Sequence, residues 1–480
     1  MSPKLEITQC LPTISAISEH LADLLGPKGW LVGEDTASYS RDWLDRYGEP
    51  PLGVARPASV DEVAAVMLAC GAASVTVTPQ GGNTGLCGAS VCAEAGGVIL
   101  SLQRMACIGR LDPIGGTIDV EAGVVLANLH AALEGTGQIF PLHLGAEGTA
   151  QIGGLIATNA GGSHALRYGT MQDLVLGLEV VLPDGTIWNG MRRVQKDNAG
   201  YQLRKLFCGA EGTLGVVTRV VLKTFPAPKA RTTALLAVPD ITALMAVGAR
   251  LRATLGEFIS GLEFFCDFGM AMTERHVGRI SLPFETRTGW YLLTELTASS
   301  AAVPLGSIFE AVLMDAMEAG EVWDGTIAMN DAQRDSLWRL REEQPEGQRL
   351  EGPQLKHDIS VPPGLLAEFI EEAGALCAAI LPGVRINPFG HLGDGNTHYN
   401  LTPPEGRVDF GDLAPDFADQ LGALATRMGG SFAAEHGLGR SKVSLADGLR
   451  SPVERRLMAQ IKQAIDPNNI LNSGVVLRSE

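Results

Sequence analysis

Hydrophobic positions along this chain change period several times, and each change marks an element. After Arg56-Pro57-Ala58-Ser59 the apolar residues repeat with helical spacing. Ser59 is a residue type that accepts the unpaired N–H groups of a first turn, so a helix is predicted there, ending near Gly71. Val75-Thr76-Val77-Thr78-Pro79 is a short β-branched strand feeding the loop Gln80-Gly81-Gly82-Asn83-Thr84-Gly85, and Gly97 to Leu102 is the next strand. Strand and glycine loop recur downstream. Ile118 to Gly123 reads as a half-buried strand, Leu126, Leu129, Ala132 and Leu133 have helical spacing, and Val175 to Thr186 reads as a hairpin.

Pro226-Ala227-Pro228-Lys229 is the clearest linker, because two prolines deny both helix and central strand. Beyond it glycine density falls. From about 230 to 425, strands such as Gly289 to Leu296 alternate with amphipathic helices, the pattern of an antiparallel sheet covered by helices. A last helix, Val453 to Ile465, leads into Asp466-Pro467-Asn468-Asn469-Ile470-Leu471-Asn472. At 480 residues the chain exceeds one hydrophobic core, and roughly 150 residues per domain gives two or three domains. Residues 1 to about 50 read as a helix-rich lead-in.

Composition narrows the classes. Hydrophobic residues at 45% and charged residues at 19% describe an ordered globular protein. A net charge of −17 argues against nucleic acid, since phosphate binding needs a basic face, and it requires any anionic substrate to meet a local basic pocket. The eight cysteines contain no Cys-x-x-Cys, and Met-Ser-Pro-Lys-Leu-Glu is not a basic-then-apolar secretory start. Reduced thiols and a cytoplasmic location are expected. No apolar run approaches about 20 residues, so no bilayer span is expected, with peripheral membrane attachment left open.

Two segments near the C-terminal end carry candidate metal chemistry. Pro388 to Asn400 contains His391, His398 and Asn400 around Gly393-Asp394-Gly395-Asn396, a hairpin turn that would set the two histidines face to face on paired strands. Glu435-His436-Gly437-Leu438-Gly439 adds a carboxylate and a third imidazole. Two imidazoles and one carboxylate suit Zn²⁺ first and Mn²⁺ second, with a coordination position open to substrate. Either segment alone reads as an ordinary solvated turn. Together they hold three of nine histidines, whereas His20, His130, His143, His164, His276 and His357 are scattered singly.

The glycine loops carry the other chemistry. Successive backbone N–H groups form an anion nest, and the lack of Cβ atoms lets a diphosphate or flat ring approach the main chain. Two such loops imply an elongated dinucleotide. Gly-x-Gly-x-x-Gly and Gly-x-x-x-x-Gly-Lys-Ser/Thr are both absent, which disfavours a nicotinamide or nucleoside-triphosphate enzyme.

Pro79 to Gly85, Gly153 to Gly162 and Gly209 to Gly215, taken with the His391/His398 and Glu435-His436 segments, resemble the FAD-linked D-2-hydroxyacid dehydrogenases. This group lies in the vanillyl-alcohol oxidase/p-cresol methylhydroxylase superfamily and holds the D-2-hydroxyglutarate and D-lactate enzymes. The likeness covers residues from about 45 to 475. It implies an α+β chain: a two-part FAD-binding domain of that type and an antiparallel-sheet substrate (cap) domain covered by helices. The expected division is 1–45 lead-in, 46–228 FAD-binding, 229–425 substrate cap with the metal site, and 426–480 returning to the flavin.

Residue by residue, the resemblance assigns FAD binding to Pro79, Gln80, Gly81, Gly82, Asn83, Thr84, Gly85, Thr149, Gly153, Thr158, Gly162, Gly212, Val217 and Asn472. Arg341 and Lys356 match the carboxylate-binding pair of the hydroxyglutarate enzymes, while Pro345 stands where a hydroxyl-bearing residue is expected. The terminal motif is Asn472-Ser473-Gly474-Val475, lacking the lysine common in relatives. The implied reaction oxidises a D-2-hydroxyacid (2-hydroxyglutarate, lactate or malate class) to the 2-oxoacid, with hydride passing to flavin. His391, His398 and Glu435 would hold the metal, His436 would take the hydroxyl proton, and Asn400, with His436, Arg341 and Lys356, would contact substrate. Electrons would leave to an electron-transfer flavoprotein, quinone or cytochrome, and a homodimer is compatible with the family. The rival reading is a non-catalytic flavoprotein subunit of an electron-transfer complex such as a glycolate oxidase-like assembly.

Overall fold

The computed structural model describes residues 14–479. Met1 to Glu6 and Cys10, which entered the expectations about compartment, lie outside the described residues. Ser59 caps the helix Val60–Ala73 as anticipated, its side chain accepting the Glu62 N–H at 3.2 Å. The helix runs past Gly71 because Ser74 takes the left-handed C-terminal position (φ 55). The following strand is consequently Val77–Gln80, two residues later at its start than the β-branched run suggests.

The N-terminal half holds two four-stranded sheets over one core. In the first, Trp30–Leu31 pairs antiparallel with Gly53–Ala55, which runs parallel to Val98–Ser101, itself parallel to Val77–Gln80. The second is antiparallel, in the order Thr117–Glu121, Val216–Lys223, Val175–Val181, Ile187–Gly190. Ile17, Leu21 and Leu25 of the helix Ile14–Leu25 pack into the core beneath these sheets. Ile470 and Leu471 reach the same core from the C-terminal end, and Leu471 bridges to Val77. The proline segment is partly structured: Phe225–Pro226 pairs with Gln138–Ile139 as a two-residue ladder, a peripheral position where a missing proline N–H is tolerated.

The second half is built on a seven-stranded antiparallel sheet ordered Asp324–Ile327, Ala230–Val238, Trp290–Ala298, Ile259–Cys266, Arg385–His391, Asn396–Thr402, Asp358–Ser360. Side chains alternate between its faces. Leu236, Leu262, Phe264, Tyr399 and Leu401 pack against the helices Ile241–Leu255, Leu305–Glu318, Leu366–Ile380 and Ala414–Arg427. Leu235, Phe265 and Phe389 face the other way, against Met270 and against Leu337, Trp338 and Leu340 of the helix Asp331–Glu342. This second face carries the polar residues. An α+β chain of two sheet systems is what the resemblance implied. No helix among the described residues is long and apolar enough to cross a membrane.

Candidate active site

The hairpin Arg385–His391/Asn396–Thr402 forms, with one correction to its register. His391 stands opposite Asn396 and His398 opposite Phe389, so the two histidines are diagonal neighbours on one face rather than a facing pair. Their ring centroids lie 5.9 Å apart. Glu435 enters from the C-terminal segment, with Oε1 3.7 Å from His391 Nε2 and Oε2 3.7 Å from His398 Nε2. One donor atom from each of the three lies within 4.8 Å of the others.

Neighbouring carboxylates orient these rings. Glu263, directly across the sheet from His391, meets its Nδ1 at 2.6 Å and leaves Nε2 turned toward Glu435. Asp358, across from His398, lies 3.9 Å from that ring's Nδ1. A second ring nitrogen held by a carboxylate is the usual support for a metal-binding imidazole. Burial opposes charge on His391, but Glu263 and Glu435 outweigh it and raise its pKa well above the ordinary value. Burial pushes His398 down to about 3, so that ring is a neutral donor. Burial raises the Glu435 carboxyl, yet His391 wins and holds it near 2. Glu263, Asp358 and Glu435 surround these rings, with the Arg341 guanidinium on Glu263 and the Lys442 charge near Asp358.

His436 stacks over His398 with centroids 5.9 Å apart and rings 18° from parallel. Asp358 Oδ2 accepts the N–H of both Glu435 (2.7 Å) and His436 (2.9 Å) and lies 3.6 Å from His436 Nδ1. Beyond it, Glu211 accepts the N–H groups of Leu438 and Gly439 at 2.8 and 2.9 Å. Two buried carboxylates therefore fix the backbone on either side of His436. Both were missed as functional in the sequence: Glu211 sits inside a glycine motif and Asp358 in a short strand, where each reads as local structure.

Two cavities meet at Glu435 and His436, which line both. The first, about 410 Å³, is walled by Pro79, Gln80, Gly81, Gly82, Asn83, Thr84, Gly85, Gly153, Thr158, Gly162, Gly212 and Val217. Thr149 and Asn472 stand off this wall. A Cβ on Gly82 would lie 2.0 Å from the Thr149 carbonyl, so the two glycine segments pack main chain to main chain. Asn472 ties three segments together: its Nδ2 donates to Ala89 O (2.9 Å) and Glu211 O (2.7 Å), and its N–H to Val77 O (2.9 Å). Gln80 and Asn83 also brace the loop, donating to Ser90 O and Arg41 O at 2.7 Å each. Lys462 anchors the terminal segment, donating to Leu471 O at 2.7 Å and Thr213 O at 2.9 Å. The glycine-walled cleft, with the buried Gln151 Oε1 unpartnered, fits a flat ring and diphosphate.

The second cavity, about 910 Å³, is lined by Arg231, Arg334, Arg341, Lys356, Pro345, Asn400, His391 and His398. It supplies the basic pocket that an acidic chain needs for an anionic substrate. Arg341 is buried rather than a solvated helix charge: its Nε donates to Glu263 Oε2 at 2.9 Å and its guanidinium lies 4.8 Å from the Phe389 ring centre. Arg334 is held by Glu295 at 2.6 Å. Lys356 forms no ion pair with any described residue, and it stands nearest to a free cation on this wall.

The family model for the C-terminal domain of FAD linked oxidases matches residues 227–476, and that for an FAD binding domain matches residues 51–190. The chain is 37% identical to a D-2-hydroxyglutarate dehydrogenase of Xanthomonas citri pv. viticola, over 92% of each chain. It is 34% identical to a D-2-hydroxyglutarate–pyruvate transhydrogenase of Saccharomyces cerevisiae, over 92% of this chain and 89% of that one. A mitochondrial D-2-hydroxyglutarate dehydrogenase of Bos taurus is 37% identical over 90% of this chain and 78% of its own. Among solved structures, substrate-bound p-cresol methylhydroxylase superposes with a TM-score of 0.74 at 17% identity, covering 97% of both chains.

Proposed function

The chain belongs to the FAD-linked D-2-hydroxyacid dehydrogenases, and on that premise we propose that it oxidises a D-2-hydroxyacid carrying a second carboxylate, of the 2-hydroxyglutarate or malate class, with metal assistance. One observation carries the reading: Glu435 and His436 line both the glycine-walled cleft and the cation-lined cavity, so proton-transfer and metal-ligating groups stand where cofactor and substrate would meet.

FAD, when bound in the glycine-walled cleft, supplies the two-electron acceptor for the Cα hydride. His391, His398 and Glu435 would hold a divalent ion, which would supply Lewis acidity to the oxidation. The chain's own residues do the rest. His436, with Nδ1 turned to Asp358, keeps Nε2 for the substrate hydroxyl proton, and loss of that proton with the Cα hydride leaves the 2-oxo group. Asn400 lies on the same strand face as His398 and lines the cavity, placed for the carboxylate next to the reacting carbon. Lys356 is the anchor for the distal carboxylate, with Arg341 beside it but shared with Glu263.

Seven free cysteines among the described residues support a reducing compartment, in keeping with a cytoplasmic location. The electron acceptor we infer is an electron-transfer flavoprotein, quinone or cytochrome. The deciding experiment is anaerobic mixing of the purified flavoprotein with D- and L-lactate, malate and 2-hydroxyglutarate. Rapid bleaching by a D-dicarboxylate is expected, whereas a flavin left oxidised by every acid would return the chain to the role of a relay subunit.

A further inference from the structure

His130, His143 and Glu147 read from the sequence as isolated residues, yet the fold brings them together. His130 lies in the last turn of the helix Leu126–Leu133, and the chain returns through Gln138–Ile139 to present His143 and Glu147 beside it. Glu147 Oε1 lies 2.8 Å from His143 Nδ1 and its Oε2 lies 3.3 Å from His130 Nδ1. The imidazole centroids are 4.7 Å apart, and one donor atom from each of the three residues falls within 4.8 Å of the others. His130 Nε2, the ring nitrogen other than the one facing Glu147, is buried and has no partner among the described residues.

We propose that His130, His143 and Glu147 form a second divalent-cation site, with coordination positions open to the substrate cavity. Its two nitrogens and one carboxylate oxygen are the donor set of a borderline ion such as Zn²⁺. His143 and Glu147 line the cation-rich cavity, so a carboxylate oxygen of a cavity ligand can complete the coordination. One main-chain residue separates this cluster from His391, His398 and Glu435. The Gly162 N–H donates to Glu435 Oε1 at 2.9 Å, and a Cβ on Gly162 would stand 2.2 Å from the His143 carbonyl. With φ at +102° as well, that position is confined to glycine, and the two clusters form adjoining walls.

The test is zinc content of the holoenzyme after equilibration with Zn²⁺ and removal of free metal, with flavin absorbance reporting an intact fold. Two equivalents are expected in the parent chain. His143→Gln and Glu147→Gln should each retain one, Glu435→Gln should retain one, and Glu435→Gln combined with His143→Gln none. A single equivalent lost in His143→Gln but kept in Glu435→Gln would also support this site while removing the other. A single equivalent lost in Glu435→Gln, or two equivalents persisting in both His143→Gln and Glu147→Gln, would reduce the cluster to a hydrogen-bonded triad and overturn the proposal.

Discussion

Asp358 holds His436 twice: one carboxylate oxygen accepts the residue's backbone N–H at 2.9 Å and lies 3.6 Å from its ring Nδ1. The same oxygen accepts the Glu435 N–H, so a single buried group sets the metal-ligating carboxylate and the neighbouring imidazole relative to each other. Asp358→Asn keeps an acceptor but removes the charge facing the ring. Turnover should fall by roughly 10- to 100-fold, the usual effect of losing an orienting partner of this kind. Stopped-flow flavin reduction checks it, and an unchanged rate constant would show that His436 needs no such support.

His436→Ala removes the proposed base and leaves the glycine-walled cleft otherwise intact. Flavin reduction should slow by roughly 100-fold or more while the yellow cofactor is retained. A near-parental rate with full flavin content would take His436 out of the proton-transfer role.

Chelation addresses the Lewis acid separately. After dialysis against a strong chelator, verified by elemental analysis, turnover should be lost while the flavin spectrum persists, and Zn²⁺ should restore it. Full activity in metal-free protein would exclude the ion from the reaction.

The hairpin of His391 and His398 was legible in the sequence because its turn is local chemistry: Gly393-Asp394-Gly395-Asn396 can hardly do anything else. The glycine loops were legible for the same reason. The partners that give these residues their chemistry were not. Glu263 lies 128 positions from His391 and sits in the run Ile259–Cys266, where one acidic residue among apolar ones carries no mark of its role. Arg341 was marked as a carboxylate-binding residue by the resemblance alone, since the carboxylate that holds it in the fold, Glu263, stands 78 positions away. The convergence of His130, His143 and Glu147 was hidden likewise, since it depends on how the 138–139 ladder returns the chain.

Lys356 and Arg341 separate by their pairing. Lys356 pairs with no carboxylate among the described residues and lines the cavity, so Lys356→Ala should raise KM for 2-hydroxyglutarate by roughly 10- to 100-fold, the range for a lost charged hydrogen bond, with little change for lactate. Arg341→Ala removes the partner of Glu263 and should disturb every substrate alike, through His391. Steady-state kinetics on both acids decide it. Equal KM effects of Lys356→Ala on lactate and 2-hydroxyglutarate would deny Lys356 the distal carboxylate.

Glu295 offers a pH test of the cavity wall. Its side chain is 1% exposed and accepts from Arg334 at 2.6 Å, Trp338 at 3.1 Å and Thr233 at 3.0 Å. Burial raises its pKa, but the Arg334 hydrogen bond and the charges of Arg334 and Arg231 outweigh this and lower it below the ordinary 4.5. In the interval between the lowered native value and the unfolded one, the unfolded chain binds the extra proton, so stability rises with pH. The contribution is complete above the unfolded value and disappears as pH falls through the native one. Glu295→Gln should cost roughly 2–3 kcal/mol near neutrality, less than the ~3–5 kcal/mol of a fully buried pair because Arg334 reaches solvent. The variant should also lose stability less steeply than the parent as pH falls below the ordinary carboxylate value, where the unfolded chain takes up its proton before the native one does. Urea unfolding at several pH values measures both quantities. Parallel pH profiles for the two proteins would mean that the Glu295 network does not stabilise the cap through its charge.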